Sequence, residues 1–143
     1  MYVLVLTIPS TYERRNVLKL NKDCVRSILL AVEDKELGMQ LTLDQLKEQL
    51  PDYSLDDVHY CCLMLKEAEL LDILTYNTLG STIPQICRIN ELTYYGHEFL
   101  DDIRPDSTWN KVKDVASKTG ASSLRALKEI AISTVTSIIQ NNI

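Results

Sequence analysis

The chain has 143 residues, enough for one domain with a substantial buried core. Apolar residues make up 45% and charged residues 24%, the balance of an ordinary globular fold, with a net charge of −5. The uncharged C-terminal stretch Ile130–Ile143 is too short and too polar to cross a bilayer. Tyr2–Ile8 is also too short, and it lacks the flanks of a signal peptide, so the protein is expected to be cytoplasmic.

In chain order, residues 1–17 come first as an N-terminal extension. They hold the apolar run YVLVLTI, a proline and the pair Arg14-Arg15. That pair can be encoded as AGG-AGG, the purine run of a ribosome-binding site, with a TTG start codon at Leu18. The extension is therefore expected to be translated leader, with a genuine strand over Tyr2–Ile8, pairing with a hairpin edge, as the competing reading. Asn21 is a good N-cap, and Val25, Ile28, Leu29 and Val32 stripe a first helix that should end near Gly38. Leu41–Leu43 has the look of a short edge strand. Leu43, Leu46 and Leu50 stripe a second helix stopped by Pro51. Ser54, with Asp57 three residues on, starts a third helix running to about Leu70.

Leu71–Asn77 and Gln85–Leu92 alternate apolar and polar residues around a link containing Gly80 and Pro84, which predicts a β-hairpin. Thr93 caps a fourth helix ended by Pro105. A fifth begins near Ser107, carries Trp109, Val112 and Val115 or Ala116, and stops at Gly120. A sixth runs from Ser122 or Ser123 to about Gln140, with Leu124, Leu127, Ala131, Val135 and Ile138 on one face. The class is α+β, mostly helical. The order helix, short strand, two helices, hairpin is that of a winged helix-turn-helix core, three helices plus a β-hairpin wing. Residues 18–104 would form this domain, and 105–143 extra C-terminal helices that pack on it or mediate dimerisation.

Two blocks carry a resemblance. The first is Lys19-Leu20-Asn21 with Asp23-Cys24-Val25-Arg26 and Ile28-Leu29-Leu30. The second is Leu92-Thr93, Gly96-His97-Glu98-Phe99-Leu100-Asp101, Ile103-Arg104, then Trp109 and Lys111-Val112-Lys113. Together they resemble a bacterial and phage-borne family, domain-of-unknown-function family 2513, found largely in prophages. The resemblance starts at Leu18 and implies a winged-helix-like fold and a mobile-element origin, with no activity attached.

Cys24, Cys61, Cys62 and Cys87 form no CxxC pair and read as reduced, mostly buried thiols. His59-x-Cys61-Cys62 matches no metal-ligand spacing, so neither metal nor cofactor is expected. His97-Glu98 has no nucleophile beside it in the sequence, and no catalysis is expected. Charge is distributed unevenly. Residues 44–106 carry four basic and thirteen acidic side chains, whereas residues 107–143 carry five basic and two acidic.

Two functions compete. In the first, a regulator binds DNA, with Lys66, Arg88, Lys111 and Lys113 as the phosphate-binding candidates. In the alternative, Asp56, Asp57, His59, Tyr60 and Glu67 form an acidic surface for a host or phage protein. Groove reading calls for basic and amide side chains on the third helix, and here one lysine faces four acids. The sixth helix carries more apolar residues than one face needs. Leu127, Ile130, Val135 and Ile138 are the candidates for a homodimer contact.

Overall fold

The computed structural model describes residues 19–142, so the expected leader, the start at Leu18 and the Tyr2–Ile8 strand lie outside the described residues. Helix α1 spans Lys22–Asp34. Its Asn21 cap accepts the Cys24 N–H at 3.1 Å, and Val25, Ile28, Leu29 and Val32 are buried along one side. It stops four residues short of Gly38. Lys35 turns into an extended conformation, and its ammonium pairs with Glu91 of the hairpin, 2.6 Å from Oε2. Leu41 then makes a two-bond bridge to Ile89, Leu41 N to Ile89 O at 3.0 Å and Ile89 N to Leu41 O at 2.7 Å. Only Leu41 of the expected strand pairs. Thr42 is taken by a full capping box with Gln45, and Leu43 already opens α2, Leu43–Gln49.

Ser54 caps α3, Leu55–Glu67, by accepting the Asp57 N–H at 3.1 Å. This helix ends before Leu70 because Glu69 sits in the left-handed region, φ 62°, and swings the chain into β1, Leu71–Tyr76. β1 pairs antiparallel with β2, Gln85–Leu92, with Leu71 opposite Leu92, Ile73 opposite Ile89 and Tyr76 opposite Gln85. Thr93 caps α4, Tyr94–Ile103. Pro105 both ends α4 and stands at the N-cap of α5, Asp106–Thr119, where its missing N–H costs nothing. Gly120, at φ 73°, closes α5, and Ser123 caps α6, Leu124–Asn141.

The described chain is thus α+β and mostly helical, six helices around one two-stranded antiparallel hairpin. One core joins all of them. Ile28 and Leu29 of α1, Leu46 of α2, Val58 and Leu65 of α3, and Ile73 and Ile89 of the hairpin meet Leu100 and Ile103 of α4. The same cluster takes in Trp109 and Val112 of α5 and Leu124, Leu127 and Ala131 of α6. Packing continues unbroken past Pro105. Each large aliphatic side chain buried this way contributes roughly 1.5–3 kcal/mol.

The tightest crossing is at Gly96, in the first turn of α4. A Cβ there would lie 2.0 Å from the Leu70 carbonyl oxygen, which itself accepts the Thr93 N–H at 3.2 Å. The end of α3, the start of β1 and the start of α4 are pinned at this point.

Candidate functional site

α2, the turn after it and α3 pack in sequence against one another and the hairpin, and they carry a run of acids. Asp44 and Glu48 of α2, Asp52 of the turn and Asp56 of α3 are exposed, and Asp57 is half-buried. Lys47 is the one basic side chain between Asp44 and Asp57. Farther along α3, Tyr60 is half-buried, and Lys66 and Glu67 are exposed. On α4, Glu98, Asp101 and Asp102 line a separate pocket with Lys128 and Ile132 of α6. Burial first, then Asp101 and Glu98, pushes the Asp102 carboxyl above the usual carboxylate range.

His59 does not belong to this exposed set, contrary to the expectation that it faces a partner. It is 9% exposed, and its Nε2 lies 2.9 Å from the Pro84 carbonyl oxygen. The ring is a strut that ties α3 to the hairpin loop. The hairpin beside it is uncharged from Ile73 to Cys87, and it holds Leu74, Tyr76, Leu79 and Ile83 out to solvent.

The four nucleic-acid candidates are scattered. Lys66 shares a groove with Glu69 and Asp72. Arg88 donates to Gln40 Oε1 at 3.0 Å on the outer side of the hairpin. Lys111 lines the groove between α5 and α6. Lys113 donates to Asp23 Oδ1 at 2.9 Å and lies 5.8 Å from the Trp109 ring centroid, so its charge is already engaged inside the protein.

That engagement belongs to a cluster which sequence reasoning did not single out. Trp109, 2% exposed, donates from Nε1 to Asp23 Oδ1 at 2.9 Å. Arg26 lies 5.9 Å from the ring centroid on the same indole. The Arg26 guanidinium also reaches the Ile103 carbonyl at 2.9 Å, the Arg104 carbonyl and the Asp106 carboxylate at 2.8 Å. It thereby caps the end of α4 and the start of α5 together. Partial burial opposes the charge on Asp23. Hydrogen bonds from Trp109 and Lys113, with the Lys113 and Arg26 charges, outweigh it and hold the carboxyl below the usual range. The available signal was the pair of blocks carrying the family resemblance: Asp23, Arg26, Ile103, Arg104, Trp109 and Lys113 all come from them, and here they meet.

Of the cysteines, Cys24, Cys61 and Cys62 are buried and Cys87 is half-buried. The hydrogen bond to Cys61, then burial, pushes the Cys24 thiol up, and burial pushes the Cys62 thiol up. Among the described residues no three His, Cys, Asp or Glu side chains gather as a metal site. His97 and Glu98 are exposed on α4. Of the dimer candidates, Leu127 is fully buried in the protein's own core and has no surface to offer a partner. Ile130 packs against that core half-buried, and Val135 and Ile138 are half-buried beyond its end. No helix among the described residues is long and apolar enough to cross a membrane.

Residues 19–122 match the protein family described as "Hypothetical protein (DUF2513)". A protein of Haemophilus influenzae described as "Uncharacterized protein" is 34% identical over 115 residues, covering 80% of this chain and 92% of that protein. No solved structure matches the chain.

Proposed function

The chain belongs to the DUF2513 family, and on that premise we propose that it is a non-enzymatic, cytoplasmic winged-helix module that acts by binding another protein. Its element order, with Leu41 bridged to a two-stranded hairpin behind three helices, supports the winged-helix assignment. The mobile-element origin rests on the family resemblance. In this reading α3 and the hairpin face the partner, as they would face DNA in a groove-reading relative.

The observation that carries the protein reading is the character of that face. Asp44, Glu48, Asp52, Asp56, Asp57 and Glu67 stand against Lys47 and Lys66, and the hairpin beside them has no charge from Ile73 to Cys87. Duplex DNA carries one negative charge per about 1.7 Å of axis, so affinity requires several lysines or arginines on the contacting surface. This face would repel it. A protein partner with a basic docking surface is complementary to the acids, and the exposed Leu79 and Tyr76 suit an apolar patch beside them.

Fluorescence anisotropy against a labelled duplex at low salt tests the choice. Binding should be absent under the conditions where electrostatic attraction is greatest. A complex that weakens steeply with added salt, and is lost in Lys111→Ala/Lys113→Ala, would establish the DNA-binding alternative instead. Affinity capture from a bacterial lysate should retain a basic protein on the native bait and lose it on Asp44→Lys/Asp56→Lys. Equal capture by both baits counts against this face.

A further inference from the structure

Three buried thiols have no part in the proposed function, and two of them, Cys24 and Cys61, meet where α1 packs on α3. Both converge on Asn21, the N-cap of α1. Its side chain accepts the Cys24 N–H at 3.1 Å, and its carbonyl oxygen lies 3.8 Å from the Cys61 Sγ. The two thiols are also hydrogen-bonded to each other. Cys62, the next residue, is offset from Cys61 by about 100° around α3.

The setting makes Cys61 the nucleophile of the pair. Its sulfur lies against the N-terminal end of α1, where the helix dipole favours a thiolate. The hydrogen bond from Cys24, with one from the Asn21 backbone, outweighs burial and the Asp57 charge and holds the Cys61 thiol below its ordinary range. Cys24, on the other side of that bond, is pushed up and keeps its proton. Access to the sulfurs is short. Lys19 is exposed, and Asn21 and Lys22 are half-buried, so local opening of the first turn of α1 admits a small oxidant.

We propose that Cys24 and Cys61 are a redox-sensitive pair that a peroxide converts to a disulfide, tying the start of α1 to the middle of α3. The Cys61 thiolate attacks one peroxide oxygen, the O–O bond breaks and hydroxide leaves, giving a sulfenic acid at Cys61. That hydroxide takes up the proton which Cys61 released, forming the first water. The Cys24 sulfur then attacks the Cys61 sulfur, and the S–O bond breaks. The departing hydroxide carries off the Cys24 proton as the second water. One peroxide is thereby reduced to two waters, and two thiols are oxidised to one disulfide.

Hydrogen peroxide titration of the reduced full chain tests this, with alkylation in denaturant and mass spectrometry without reduction. The oxidised chain should lose about 2 Da, the two hydrogens of a disulfide. It should then take up two alkyl groups where the reduced chain, with its four cysteines, takes up four. Digestion should join the Cys24 peptide to the one holding Cys61 and Cys62, and fragmentation should place an alkyl label on Cys62. Dithiothreitol should restore all four labels. In Cys24→Ala, dimedone should trap the sulfenic acid on Cys61. Should that variant fail to fold, the map of the native chain decides alone. A chain without the Cys24–Cys61 link at about tenfold peroxide excess overturns the proposal. So does a link that runs through Cys62 or Cys87 instead.

Discussion

Gly96 tolerates no side chain, and the cause is a backbone atom. The Leu70 carbonyl oxygen stands 2.0 Å from where a Cβ would sit, in a peptide that cannot withdraw without losing its bond to Thr93. Gly96→Ala should therefore destabilise the protein by about 2–4 kcal/mol, whereas the same change at an uncrowded helix position ordinarily stabilises. A chemical denaturation curve checks this, and a loss within experimental error would mean that α4 can slide off Leu70. In the sequence this glycine sits in Gly96-His97-Glu98, which draws the eye to acid–base chemistry. The atom that demands a glycine lies 26 residues upstream, beyond the reach of any local pattern. The N-caps were easier. Asn21, Ser54, Thr93 and Ser123 each act on a backbone N–H three residues ahead, so spacing alone finds them.

Between elements, the decisive contacts are the ones that no spacing announces. The end of α1 is set by Lys35 reaching Glu91, and the docking of α5 on α1 is set by Asp23 and Arg26 meeting Trp109. These partners are far apart in the chain, which is why periodicity placed the end of α1 too late and left the Trp109 cluster unassembled. The α1–α5 junction has a pH signature. The folded Asp23 carboxyl titrates below its ordinary 3.8, so its contribution to stability is fully present above that value. It is lost as pH falls below 3.8 and through the folded value. Asp23→Asn should lower Tm at neutral pH and flatten the fall of Tm in that acid window. Glu91, whose carboxyl Lys35 likewise holds below its ordinary 4.5, contributes a slope of the same sign, and the raised Asp102 carboxyl one of the opposite sign. A variant whose melting profile parallels the native one through this range would show that Asp23 is not linked to folding.

For the whole molecule, the boundary suggested at Pro105 separates helices without separating cores. A chain ending at Arg104 keeps the three helices and the hairpin of the expected module. It loses Trp109, Val112, Ala116, Leu124, Leu127 and Ala131 from the shared cluster. At roughly 1.5–3 kcal/mol for each large side chain, that loss approaches or exceeds the 5–15 kcal/mol that typically holds a domain together. The truncated chain should show no cooperative thermal transition, and a sharp one would establish residues 19–104 as an independent unit. Element order and most of the core were legible because each helix announces its own apolar stripe. Charge distribution was legible too, as thirteen acids in the middle of the chain. What the surface binds was not, since a partner leaves no periodicity behind. Trp109 is the chain's one tryptophan, and it is held between Arg26 and Lys113 with its indole N–H on Asp23. The protein therefore carries a single indole at the seam where α5 closes on α1, and emission excited selectively from that indole, apart from the seven tyrosines, reports on that seam.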